Sequence, residues 1–101
     1  MTRTEINRRI QRDIDTLTRG RCAMCGAVQD EMTRAAFHHH HVDPSTKSFK
    51  ISSFPKQIRG YALDAAWRKV SAELRKTIYL CAFCHARVHY AERESKRRQR
   101  L

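Results

Sequence analysis

The sequence predicts a small α+β fold, in which helices flank two short strands and paired cysteines tie the start of the chain to its end. Three observations carry that prediction. Apolar residues recur at spacings of three and four over residues 3–18 and 61–76, the period of a helix with one buried face. Short β-prone runs lie at 35–41 and 78–80, before and after the second helical stretch. Cys22-x-x-Cys25 and Cys81-x-x-Cys84 are two pairs of the same spacing.

The elements follow in order. Ile6, Ile10, Ile14 and Leu17 form one stripe on the first helix, over 3–18. Thr2 or Thr4 can cap it, and Gly20 stands where it should stop. Arg3, Arg8, Arg9 and Arg12 cover much of its remaining surface. Residues 21–26, RCAMCG, make a tight turn in which Gly26 permits a reversed backbone after the second sulfur. Residues 35–41, AAFHHHH, read as a strand, and Asp43-Pro44-Ser45-Thr46 as a turn. Phe49 and Ile51 alternate with Lys50 and Ser52, which predicts a short extended stretch. Pro55 and Gly60 break the chain before a helix over 61–76, with Leu63, Trp67, Val70 and Leu74 on one face. Ile78, Tyr79 and Leu80 form the second strand and run into Cys81. A last helix starts near Cys84 and carries Val88, Tyr90 and Ala91. It ends in a basic tail over 92–101 that is expected to fray.

The chain has 101 residues, which predicts one domain over 1–101 with its core in 20–90. A domain this small buries a limited core and commonly leans on a metal or on disulfides. With 41% hydrophobic and 31% charged residues and few glycines or prolines, it is neither disordered nor collagenous. No apolar run approaches the ~20 residues that span a bilayer, so no membrane partner is expected. The first fifteen residues lack the apolar centre of a secretory signal. The expected compartment is therefore the reducing cytoplasm, in which clustered cysteines favour metal over disulfides.

The two cysteine pairs are the firmest local signal. Each knuckle offers two thiolates, and Cys22, Cys25, Cys81 and Cys84 together complete the all-sulfur tetrahedron of structural zinc. Such a site has no open coordination position, so its metal stabilises and does no chemistry. Three competing patterns fit worse. Cys81 to His85 matches the haem-attachment run CxxCH but leaves Cys22 and Cys25 without a role. A finger built on Cys22, Cys25, His38 and His41 has too short a histidine gap and orphans Cys81 and Cys84. A nucleobase deaminase needs H-x-E and P-C-x-x-C, and neither half is present.

Six histidines complete the inventory: His38 to His41 in one run, then His85 and His89. On a strand, His38 and His40 share one face and His39 and His41 the other. His85 and His89, four apart on a helix, share one face and suit a divalent ion. A purification tag or surface histidines would be the bland reading. Against both stands the joint order: histidine strand, turn, second strand, knuckle, histidine helix.

That order resembles the HNH family of nucleases, whose core is a ββα-metal (His-Me finger) motif. Many members, especially phage-encoded ones, carry a CxxC pair, a double histidine followed by an acid and a proline, and LCxxCHxxxH. Here the counterparts are Cys22 and Cys25, His40-His41-Val42-Asp43-Pro44, and Leu80 through His89. The stretch Phe37 to Ile51 is also similar to a segment that recurs in one branch. The likeness covers roughly residues 20–90. It implies that His41 is the general base and that His40, His85 and His89 hold a catalytic divalent ion, Mg, Mn, Ni or Zn. A register shifted onto His38 and His39 is the alternative. It further implies a DNA endonuclease, bacterial or phage-encoded, that acts by a one-metal mechanism and leaves 5′-phosphate and 3′-hydroxyl ends.

One feature departs from the family. Its asparagine, which braces the loop holding the base, has no counterpart, since Asn7 lies far upstream. The matching positions hold Lys76 or Thr77, or Phe83 inside the second knuckle.

The formal net charge of +11 points to a polyanion as partner, DNA first and RNA second. Lys47, Lys50, Lys76 and Arg87 are the expected contacts near the site, with the N-terminal arginines and Arg93 to Arg100 on flanking phosphates. Phosphate contacts carry no sequence information, so low specificity is expected. A monomer or homodimer is expected, with a phage-packaging or mobile-element protein as further partner. The alternative function is a non-catalytic zinc ribbon that binds nucleic acid.

Overall fold

The computed structural model describes residues 1–99; Arg100, one of the expected phosphate contacts, lies outside them. Helix α1 spans Arg3–Thr18. The Thr2 hydroxyl caps it by accepting from the Glu5 amide at 3.2 Å. It ends where Arg19 and Gly20 turn left-handed, at φ 57 and 59. Ile10 and Ile14 are fully buried and Ile6 packs beside them. Leu17 departs from the expected stripe and is 60% exposed. It sits one turn past the point where the core ends, beside Thr18 and Arg19 on a surface groove.

The first knuckle follows. The Cys22 amide donates to Ala27 O, Gly26 takes φ 75 as its position requires, and an isolated bridge joins Arg21 to Val28. After a 3₁₀ turn at Arg34–Ala36 comes strand β1, Phe37–His41. The strand is shorter than expected because Ala35 and Ala36 belong to the turn. Asp43 caps the Pro44–Thr46 turn through the Ser45 amide at 3.0 Å.

The extended stretch expected at 49–52 is instead a 3₁₀ turn, Ile51–Ser53, running into the short helix α2, Phe54–Gln57. The alternation of Phe49 and Ile51 is the first step of a tighter winding. Phe49, Ile51, Phe54 and Ile58 are all buried, and only a helical wrap turns all four inward.

Helix α3 spans Leu63–Leu74 and packs on α1 through Leu63, Ala66, Trp67, Val70 and Leu74. Strand β2, Thr77–Cys81, pairs antiparallel with β1, setting Phe37 opposite Cys81 and His41 opposite Thr77. Helix α4, Ala82–Gln99, begins inside the second knuckle. The tail expected to fray is helical through Gln99. No glycine or proline interrupts it, and Lys96, Arg97 and Arg98 complement the helix C-terminus.

The two-stranded sheet lies between α4 on one face and α3 on the other. Two separate cores result. The larger joins α1, α2, α3 and the 3₁₀ turn before α2. The smaller consists of Cys22, Leu80, Cys81 and Cys84, with Phe37, Ile78 and Val88 against them. Among the described residues, no helix is long and apolar enough to cross a membrane.

Candidate functional site

The four cysteine sulfurs lie within 4.8 Å of one another. Backbone geometry brings them there. The Ala23 amide donates to Tyr79 O at 2.7 Å, which pins the first knuckle to β2 just ahead of Cys81. Cys25 Sγ and Cys81 Sγ are 3.7 Å apart, far beyond a disulfide bond. Zinc–sulfur bonds of about 2.3 Å give a tetrahedral edge of about 3.8 Å, so the spacing fits a shared metal. Burial raises the Cys22 thiol, but the amides of Cys25, Cys81 and Met24 and the Cys25 thiol lower it to about 6. Cys84 is pushed up to about 12 by burial and by the three neighbouring sulfurs. Four sulfurs this close cannot all carry charge unless a cation neutralises them. The cluster therefore fits a structural metal such as zinc.

The histidine run divides as the strand period requires. His38 and His40 face α4, where their rings lie 4.9 and 5.2 Å from that of His85. His39 faces the other way, 4.6 Å from the Tyr79 ring, and burial pushes it down to about 4. The nitrogens of His40, His85 and His89 lie within 4.8 Å of one another. His85 Nε2 and His89 Nε2 are 2.9 Å apart, and Glu92 Oε1 is 3.1 Å from His40 Nε2. His40, His85 and His89 are thus close enough that they could hold one metal ion, with Glu92 beside them. Burial, and then the neighbouring His89, His38 and His40, lower the pKa of His85 and favour its neutral form.

His41 ends β1 and is 8% exposed. Its Nε2 lies 2.8 Å from Glu73 Oε1. Glu73 is 2% exposed on α3, in line with Ala66 and Val70. The same oxygen accepts from the Ser48 amide at 2.9 Å, and Oε2 accepts from Lys76 Nζ at 2.9 Å. Burial raises this carboxyl, but Lys76, the Ser48 amide, His41 and the Phe49 amide outweigh it and hold it at about 2.

A cleft of about 480 Å³ holds His40, His41, His85 and His89 together, with Lys47 and Lys50 on its wall. Lys76 is elsewhere. Its ammonium reaches Thr46 O at 2.8 Å and Ser48 Oγ at 3.4 Å as well as Glu73. Arg87 is exposed beside the second knuckle, next to Phe83 and Cys84.

Two members of this site were missed by sequence reasoning, Glu73 and Glu92. Glu73 had a signal: an acid three residues after Val70 falls within the apolar stripe of its helix. Glu92, three past His89 and seven past His85, shares their helical face for the same reason. Comparison with known proteins finds no family model, curated protein or solved structure that matches the chain.

Proposed function

We propose that this chain is a metal-dependent endonuclease of the HNH type that hydrolyses phosphodiester bonds in DNA. One observation carries the reading: His40 from β1 and His85 and His89 from α4 converge on one point, with His41 in the same cleft. Two strands and a helix around such a point are what a ββα-metal core would need, and this supports the reading. The same convergence favours the His40/His41 register over His38/His39.

In this reading the cysteine zinc holds the fold, and His40, His85 and His89 hold a working divalent ion. That ion, when bound, neutralises charge on the phosphoryl group and eases departure of the 3′ oxygen. His41 takes the proton from the attacking water. Lys47 and Lys50 hold the flanking phosphates and set the backbone in the cleft. The setting is a reducing cytoplasm, where the cysteines stay free for metal.

Plasmid nicking tests the proposal, with Mn or Mg present and with chelator added. The parent protein converts supercoiled to open-circular DNA only with metal. His41→Ala and His89→Ala each lose at least about a hundredfold in rate. Equal nicking by parent and His41→Ala overturns the base. Binding without cleavage under any metal overturns the enzyme and leaves a zinc-stabilised binding module.

A further inference from the structure

The HNH resemblance left one part without an owner: the asparagine that braces the loop around the base. The structure places a different device there. The segment 42–49, between β1 and the larger core, is fastened at several points to the turn that joins α3 to β2. The Val42 amide donates to Lys76 O at 3.0 Å. Lys76 Nζ donates to Thr46 O at 2.8 Å and approaches Ser48 Oγ at 3.4 Å. The Ser48 amide donates to Glu73 Oε1 at 2.9 Å. Glu73 and Lys76 are themselves paired at 2.9 Å, one turn apart. Phe49, where the loop ends, is buried in the larger core.

The same carboxylate decides which nitrogen of His41 is free. An ionised carboxylate only accepts hydrogen bonds. Glu73 is held in that form by the Lys76 ammonium and by two backbone amides, despite its burial. The 2.8 Å contact with His41 Nε2 is therefore a hydrogen bond that Nε2–H donates. The lone pair then resides on Nδ1. Among the described residues, no protein group bonds that atom.

We propose that Glu73, locked by Lys76, is the positioning residue for His41, fixing the Nε2–H tautomer and the loop so that Nδ1 receives the proton. The proposal rests on the endonuclease reading for its chemistry, though not for its tautomer. In the reaction, water loses a proton to His41 Nδ1 and its oxygen bonds to phosphorus. The bond from phosphorus to the 3′ oxygen breaks, and that oxygen takes a proton from solvent. Glu73 keeps its charge throughout and faces the imidazolium as it forms, as the buried aspartate of a serine-protease triad does. An asparagine side chain can brace a loop but brings no charge to the base.

The test has two arms. In protein labelled with ¹⁵N at histidine, with resonances assigned through His41→Ala, the neutral His41 ring of the parent is read directly. The expected result is the Nε2–H tautomer, and an Nδ1–H tautomer in the parent overturns the proposal whatever the activity. In the kinetic arm, Glu73→Gln keeps the shape and removes the charge. Its kcat for nicking falls at least about tenfold with KM nearly unchanged, and Glu73→Asp recovers part of the loss. Unchanged kcat in Glu73→Gln overturns the proposal. A parent that never cleaves refutes the endonuclease reading instead, and the tautomer still decides whether Glu73 positions His41.

Discussion

Glu92 sits between two of the three converging histidines, with Oε1 3.1 Å from His40 Nε2 and Oε2 3.6 Å from His89 Nδ1. It is the one acid in contact with the cluster among the described residues. Under the proposed function, imidazole ligands would bring no charge to a divalent ion, so a carboxylate here would add Coulomb attraction and orient both rings. Glu92→Gln is accordingly expected to weaken divalent-ion binding at the histidine centre about ten- to a hundredfold. Calorimetric titration of zinc-loaded protein with Mn measures this, and an unchanged affinity would remove Glu92 from the site. At this scale the candidate ligands were legible and the acids beside the histidines were not. Cysteines three apart and histidines four apart declare themselves because a metal demands several identical donors at fixed spacing. Glu73 and Glu92 contact partners 32 and 52 positions away, a pairing that exists only once the sheet is formed.

At the scale of elements, α4 joins the two candidate centres. Cys84 and His85 are consecutive residues in its first turns, and His89 and Glu92 continue along its face. Fixing Cys84 in the sulfur cluster fixes the rotation of the helix, and hence where the histidines point. Loss of zinc is expected to weaken both centres at once. Stripping the metal with a strong chelator, or Cys84→Ser, should lower the melting temperature markedly and also reduce Mn affinity at the histidines. Thermal unfolding and titration on one sample check this. An intact histidine site in the stripped protein would show that the centres are independent. Both long helices were legible from their apolar spacing. The stretch at 49–52 was not, because two alternating apolar residues look the same at the start of a strand and of a tight helical wrap. Burial of Phe54 and Ile58 decides between them. The helical C-terminus escaped for the opposite reason, since residues 92–99 pack little and show no period to read.

For the whole molecule, the excess positive charge is spread widely. The arginines of α1 and the basic end of α4 are exposed and do not line the cleft, whereas Lys47 and Lys50 do. Binding to duplex DNA is therefore expected to be strong, unselective and salt-sensitive, falling at least about tenfold between about 50 and about 200 mM salt. Fluorescence anisotropy on two unrelated duplexes measures this. A large preference for one duplex, or a flat salt dependence, would contradict it. Net charge is the ground of this expectation but could not place the charges, because composition has no geometry. The separation into two cores was equally hidden, since the second is built mainly from the metal-site cysteines and not from an apolar stripe.

That separation gives the chain an order of assembly during its own synthesis. Every residue of the larger core lies between Ile6 and Leu74, a span that also contains Glu73, and Lys76 follows two residues later. The larger core can thus gather first, while His41 and Glu73 meet only once β2 has paired with β1. Cys81, Cys84, His85 and His89 emerge afterwards. Until they do, Cys22 and Cys25 wait for partners and His40 waits for its fellow ligands. Under the endonuclease proposal, a chain in which helix α4 has not yet packed would have no metal centre, and activity would begin only once that helix is in place and metal is bound.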